Sequence, residues 1–272
     1  MSPIGTAVES LVNWLESFGF VFAAIQQAIE SVVGSIEWLL FLLPSFVVIA
    51  LVVLIAWRLA GVGLAAFAGI GFSIIVYMQL WPQTIQTLAL VLTAGFFSLL
   101  AGIPLGIWAA RNDVVNKVTR PILDFMQTMP SFVYLIPAVI FFSLGPVPGV
   151  VATVVFATPP AVRLTNLGIR QVPVEVVEAA ESFGSTSTQL LFKVQLPMAL
   201  PTIMAGINQA IMLALSMVVI AAMIGAGGLG GEVLRGITQL EIGQGFEAGL
   251  AVVIVAIFLD RITQALVPAK GK

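Results

Sequence analysis

The residues able to do chemistry are concentrated in one short stretch. Residues 174–197, VEVVEAAESFGSTSTQLLFKVQLP, carry Glu175, Glu178, Glu181 and Lys193 between long apolar runs. Three carboxylates recurring every third residue form an acidic helix face, a docking surface rather than a catalytic dyad. Such a segment cannot lie in hydrocarbon, so it reads as a water-exposed excursion folded for another molecule to grip. The chain has no cysteine and no histidine, which removes thiolate chemistry, disulfides, imidazole proton shuttles and the usual zinc sites.

The local pattern of that stretch predicts helix, turn, helix. Pro173 suits a first helical position, while Val176, Val177, Ala180 and Phe183 share one face. Gly184 supplies a left-handed stop. Thr186 followed by Gln189 is a capping-box pattern, and Leu190, Leu191, Phe192 and Val194 carry a second helix to Pro197. Taken alone, the hairpin fits either a partner-docking element or an ordinary amphipathic surface turn.

The elements that must position it are membrane spans. The 272 residues are 60% hydrophobic and 9% charged, and mean hydropathy is +1.11. Repeated apolar runs approach the ~20 residues that cross ~30 Å of hydrocarbon, so the fold class is an all-α polytopic transmembrane bundle. Seven spans are predicted at about 39–57, 60–80, 84–109, 130–145, 147–163, 203–226 and 247–266, the fourth and fifth interrupted by proline. With the carboxyl terminus in the cytoplasm, Arg58, Arg111, Lys117, Arg120, Arg163, Arg170, Lys193, Arg261, Lys270 and Lys272 all fall inside and only Arg235 outside. That places the amino terminus outside.

Residues 1–37 hold Glu9, Glu16, Glu30 and Glu37 with no Lys or Arg, and their apolar residues keep to a helical stripe. Thr6 with Glu9 offers a capping box, so this extracytoplasmic segment is read as one or two interfacial amphipathic helices. It lacks the basic start of a signal peptide. Trp38, Trp57, Trp81 and Trp108 fall at predicted span ends as an interfacial belt, and Tyr77 and Tyr134 are too few for an aromatic cage.

No Asp, Glu, Lys, Arg or His falls in mid-span, which disfavours proton coupling, and no inverted repeat supports sodium coupling. Gln127, Thr128, Met129 and Pro130 precede a span broken at Pro137. Its freed carbonyls need neighbours or a wet cavity, so Gln127, Met129, Pro130 and Tyr134 are candidate pore-lining residues, with packed scaffold as the equal alternative. Asp260 beside Arg261 reads as a local or interhelical ion pair or a gate, and Glu232, Glu241 and Glu247 as outer-loop residues that meet a cationic or zwitterionic solute, its carrier protein or only water. Asn166, Asn208 and Gln209 read as hydrogen bonds between spans. Gly225, Gly227, Gly228, Gly230 and Gly231 predict an outward-facing loop.

Glu178-Ala179-Ala180, then Gly184, then Leu196-Pro197 resemble the EAA loop of ABC-importer permeases. Gly236, Ile237, Ile242, Gly243, Gly245, Phe246 and Glu247 to Leu250, with Leu259 to Ile262, resemble the permease of glycine betaine and proline betaine importers. The resemblance covers about the second span to residue 266. It implies the type I importer permease fold over residues 38–268, with a coupling hairpin at 171–200 that sits in a groove of a cytoplasmic ATPase. It further implies two permease copies, two ATPase subunits, an extracytoplasmic solute-binding protein and a bacterial inner membrane. The cargo would be a compatible solute such as glycine betaine, proline betaine, choline or trimethylamine N-oxide. Glu178 would pair with basic residues of the ATPase or cap the neighbouring helix. No Walker-type GxxxxGK[ST] element is present, so the chain is expected to be no enzyme and to hold no cofactor, ATP and Mg belonging to the partner, and no nucleic acid is expected. The competing reading is a stand-alone secondary carrier or channel.

Overall fold

The computed structural model describes residues 17–266 together with Ser10, Trp14 and Leu15, and the described residues contain helices and no strand. The Thr6–Glu9 capping box and the cations Lys270 and Lys272 lie outside them. The helices are α1 (Gly19–Phe41), α2 (Ser45–Ala60), α3 (Val62–Tyr77), α4 (Trp81–Arg111), α5 (Asp113–Thr128), α6 (Ser131–Phe142), α7 (Pro146–Arg170), α8 (Val174–Ser182), α9 (Ser187–Ala222), α10 (Gly228–Thr238) and α11 (Ile242–Ala265). Every predicted apolar run is helical, with shifted ends. The first span starts at Ser45, after Pro44, and residues 39–41 belong to α1. By length and composition α1, α4, α7, α9 and α11 are long enough to cross a membrane. The 16-residue α2 and α3 rise only ~24 Å each.

Packing is closest where glycine removes a side chain. A Cβ on Gly102 would stand 2.8 Å from Ala161 Cβ, and one on Gly106 would stand 2.6 Å from Thr165 Cβ and 2.7 Å from the Val162 carbonyl, so α4 meets α7 backbone to backbone. Gly206 on α9 meets Leu164 and Pro160 of α7 in the same way, and Gly168 meets Thr202 and Ala199. Membrane interfaces favour small residues because lipid tails are as apolar as leucine and only close approach adds attraction. The result is an α4–α7–α9 core, with α11 clamped to α9 and the α2–α3 hairpin laid against α11.

The bundle has two chemically different ends. At the basic end, Arg58, Arg111 and Arg170 close α2, α4 and α7, and the α2–α3 turn at Ala60 and Gly63 shares a crevice with Arg261 and Gln264 of α11. At the other end, rich in glycine, the Gly145 N–H donates to the Ile224 carbonyl (2.9 Å). The Gly228 and Leu229 N–H groups donate to Gln86 Oε1 (3.1 Å) and Thr87 Oγ1 (2.8 Å). These contacts gather the start of α4 with the α6–α7 and α9–α10 turns.

Two expectations change here. The glycines after the sixth span are not all loop: Gly225, Gly227 and Gly228 take positive φ in a turn, but Gly230 and Gly231 lie inside α10. A Cβ on Gly230 would fall 2.3 Å from the Val218 carbonyl, so the glycine serves helix packing, not chain reversal. In the amino-terminal segment, helical residues at Trp14 and Leu15 precede a turn at Ser17 and Phe18, and α1 then runs from Gly19 past residue 37 to Phe41. Phe22 stacks on Phe141 (4.4 Å) and edges Phe142 at the glycine-rich end, and Phe41 leads through Pro44 into α2, whose far end is basic. Both ends of α1 therefore lie at the glycine-rich end. Although long enough to cross, α1 lies across that end, burying Ile29 and Val33.

Gly106→Leu is expected to destabilise the folded chain by about 1–3 kcal/mol through overpacking against α7, whereas Gly231→Ala, where a Cβ meets nothing within 4 Å, gains about 0.5–1 kcal/mol from helix propensity. Thermal unfolding of the purified protein in detergent, read by circular dichroism, checks both signs.

Candidate functional site

The 174–197 stretch folds as a helix pair at the basic end. Helix α8 opens behind Pro173 with Glu175 in its first turn, where a carboxylate faces the positive pole of the helix. It ends in a double cap: the Ser185 N–H donates to the Ala180 carbonyl (3.1 Å) and the Gly184 N–H to the Glu181 carbonyl (2.8 Å). This is the Schellman arrangement, and it requires the φ of +80° that Gly184 adopts. The next helix starts within two residues on the expected capping box, with the Gln189 N–H donating to Thr186 Oγ1 (3.3 Å) and the Thr186 N–H to Gln189 Oε1 (2.9 Å).

This second helix is not short. Through a π-turn at Leu191–Gln195, in which the Leu196 N–H reaches the Leu191 carbonyl, it continues as the rest of α9. Pro197 has no N–H to offer and its ring would crowd the carbonyl four residues back; one extra residue in the turn relieves both. The Leu-Pro pair therefore marks where the hairpin becomes a membrane helix. Leu191 is buried with Ile169, Ala199 and Ile203, and Leu196 packs against them, so the hairpin is anchored to α7 and α9.

What the hairpin presents is its far side. Phe183 is 92% exposed, and Val174 and Phe192 are also exposed. Glu178 and Ala179 face water, Ala180 is half-buried, and the Glu178 side chain makes no bond among the described residues. The neighbouring helix is capped by Thr186 and Gln189, so Glu178 does not cap it.

The four candidate pore residues surround the bend between α5 and α6, which meet at 98°. Pro130 begins α6. Tyr134 is buried, donates its hydroxyl back to the Met126 carbonyl, and packs with Leu135, Ala138, Ala152 and Met217, with Met129 alongside. Gln127 faces another way and accepts from Arg163 Nη1 (2.8 Å), whose Nη2 binds Asp124 (2.6 Å). The bend thus brings Met129 and Tyr134 together in packed scaffold and leaves Gln127 in a polar seam.

That seam runs along α5 and the last two turns of α7. Arg170 bridges Asp113 (2.7 Å), the Ala109 carbonyl (2.9 Å) and Asn166 (3.0 Å), while Asn166 donates to Asn116 (2.8 Å), which also accepts from Arg120. The Arg170 guanidinium holds the Asp113 carboxyl below the usual carboxylate range. A cleft of about 310 Å³ lies between the helices, lined by Arg120, Asp124, Arg163 and Asn166 among others. The seven-residue spacing of Arg163 and Arg170, visible in the sequence, puts both on one face of α7.

Of the remaining polar candidates, Glu241 and Glu247 are exposed, whereas Glu232 and Asp260 are bonded within the bundle. Glu232 is buried and accepts from Arg235 (3.0 Å) and Gln244 (2.7 Å), so it does not face solute as an outer-loop residue would. Asp260 does not pair with Arg261; it accepts from Asn208 (2.9 Å) and Gln264 (2.8 Å), tying α11 to α9 with Thr263. Asn166 and Asn208 bridge helices as expected, and Gln209 is exposed. Among the described residues no group of His, Asp or Glu could hold a metal ion.

Asn116→Leu should lower stability by about 1–3 kcal/mol, because Asn166 and Arg120 then lose a partner in a part-buried seam. Asp124→Asn, at an exposed ion pair, should cost under about 1 kcal/mol. Parallel thermal melts of the two variants separate these outcomes.

Comparison with known proteins agrees with this architecture. Residues 102–272 match the family model described as binding-protein-dependent transport system inner membrane component. The chain is 53% identical to the glycine betaine transport system permease protein OpuAB of Bacillus subtilis (strain 168), over 96% of this chain and 93% of that one. It is 49% identical to the glycine betaine/proline betaine transport system permease protein ProW of Escherichia coli (strain K12), over 97% and 75%. It is also 42% identical to the trimethylamine N-oxide transport system permease protein TmoV of Pelagibacter ubique (strain HTCC1062), over 82% of this chain and 31% of that one. In fold it resembles a chain of the MetNI methionine ABC transporter in an inward-facing conformation, with TM-score 0.61 and 23% identity, over 68% of this chain and 95% of that one. The chain belongs to the family of binding-protein-dependent transport system inner membrane components.

Proposed function

We propose that this permease imports a compatible solute of the betaine class, glycine betaine or proline betaine first and other methylated amines second, using ATP hydrolysed by a separate subunit. The relatives named for glycine betaine are about half identical over nearly the whole of this chain, whereas the trimethylamine N-oxide relative is more distant. The observation that carries the mechanism is the doubly capped hairpin, rigid in backbone yet exposing Phe183 and an unpaired Glu178 at the basic end.

The basic end faces the cytoplasm in this reading, because Arg58, Arg111, Arg170, Lys193 and Arg261 gather there and Arg235 sits apart, neutralised by Glu232. Glu178, Ala179, Ala180 and Gly184 enter a groove of the ATPase, Phe183 filling an apolar pocket and Glu178 meeting a cation. Leu196 and Pro197 join that lever to α9. When ATP closes the ATPase dimer, the lever turns α9 and, through the Ile169–Leu191–Ala199–Ile203 cluster, α7. Two copies enclose the pathway, opened alternately to a docked solute-binding protein and to the cytoplasm. The α5–α6 bend, with Gln127, Met129, Pro130 and Tyr134, borders the inner mouth. Hydrolysis resets the cycle.

Gly184→Val should abolish ATP-driven betaine uptake while the chain still inserts, since a β-branched residue is costly at φ +80° although a Cβ there meets no other atom. Gly184→Asn should retain much of it, because asparagine tolerates the left-handed region. The measurement is labelled glycine betaine uptake into vesicles holding permease, ATPase and binding protein. Uptake undiminished by Gly184→Val, or proceeding without the ATPase, would overturn the proposal.

A further inference from the structure

Helix α5 is amphipathic the wrong way round for a helix of a water-soluble domain. Its polar residues Asp113, Asn116, Asp124 and Gln127 turn toward α7 and its arginines. Its apolar residues Val114, Val118, Ile122 and Phe125 are all exposed, at 70%, 56%, 53% and 64%. Their spacing of four, four and three residues puts them on one stripe. Nothing among the described residues covers it.

The position of α5 decides what does. Its polar face is bonded along the last two turns of α7, from Arg163 to Arg170, at the level where Arg111 and Arg170 close α4 and α7, and the Tyr134 hydroxyl of α6 reaches its Met126 carbonyl. Those cations mark the water boundary of the spans, so α5 starts at that boundary. It then bends by 98° into α6, which turns toward the glycine-rich end. Lys117 flanks the apolar stripe and is exposed, while Arg120 stands on the polar face, where it donates to Asn116 and lines the cleft to α7. A helix with an apolar stripe, cations off that stripe and a position at the boundary matches a helix bedded in the headgroup layer, its apolar residues reaching the acyl chains. We propose that α5 is such an interfacial helix: Val114, Val118, Ile122 and Phe125 dock on the bilayer surface at the basic end, and the polar seam to α7 hangs the Arg163–Asp124–Gln127 contacts from it.

The chain has no native cysteine, which allows a direct test. Single variants Val118→Cys, Ile122→Cys and Phe125→Cys, with Glu181→Cys on the hairpin as a water-facing control, are spin-labelled in the assembled transporter. They are then reconstituted in vesicles of phosphatidylethanolamine and phosphatidylglycerol. Bilayer docking requires a severalfold excess of collisions with oxygen over a water-soluble nickel chelate at the three stripe positions, and the reverse at Glu181→Cys. Val114→Cys replaces any of the three that fails to assemble. Labels shielded from both reagents with spin–spin broadening between copies would overturn the proposal in favour of a permease–permease contact. An excess of nickel collisions on the stripe would overturn it in favour of a water-facing surface.

Discussion

Everything in this molecule rests on the closeness with which α4, α7 and α9 approach one another. In a bilayer, apolar side chains gain nothing by leaving lipid, so helices hold together by dispersion at short range and by polar groups that have no other partner. Gly102 and Gly106 on α4, and Gly168 and Gly206 at the α7–α9 contact, let backbones come within reach. Asn208, Asp260 and Thr263 then tie α11 to the same core.

The hairpin at the basic end is built by two local devices and one proline. The Schellman cap at Gly184 and the capping box at Thr186 satisfy the backbone of both helices at the corner, so the hairpin keeps its shape without burial. Leu191 and Leu196 fasten it to α7 and α9, and the π-turn before Pro197 lets the lever and the membrane helix be one piece. The opposite end is held differently. There the N–H groups that open α10 are satisfied by Gln86 and Thr87 of α4, and Glu232 is paired with Arg235 and hydrogen-bonded by Gln244, so the expected loop is a helix that packs through its glycines.

The sequence was most legible where structure is decided within a few residues. Thr186 and Gln189 needed only each other, Gly184 only its own φ, and the apolar runs only their length; each of these is found in the fold. It was least legible where a residue's surroundings come from far along the chain. Glu232 looked like a surface charge because Gln244 is twelve residues away, and Asp260 looked like a partner for Arg261 because Asn208 is fifty-two away. Tyr134 and Gln127, close in sequence, diverge into packed scaffold and polar seam because a 98° bend lies between them.

By itself the sequence determined that the chain is a membrane bundle, that its cations favour one side, and that a capped acidic hairpin projects from that side, since hydropathy, charge and capping are local properties. Only the tertiary structure decided that α1, long enough to cross, lies across the glycine-rich end, and that α5 turns its apolar stripe outward. Neither could be read beforehand, because amphipathic periodicity fixes that a helix has two faces but not which of them meets protein; that choice belongs to Phe141 and Phe142 for α1 and to Arg163 and Arg170 for α5.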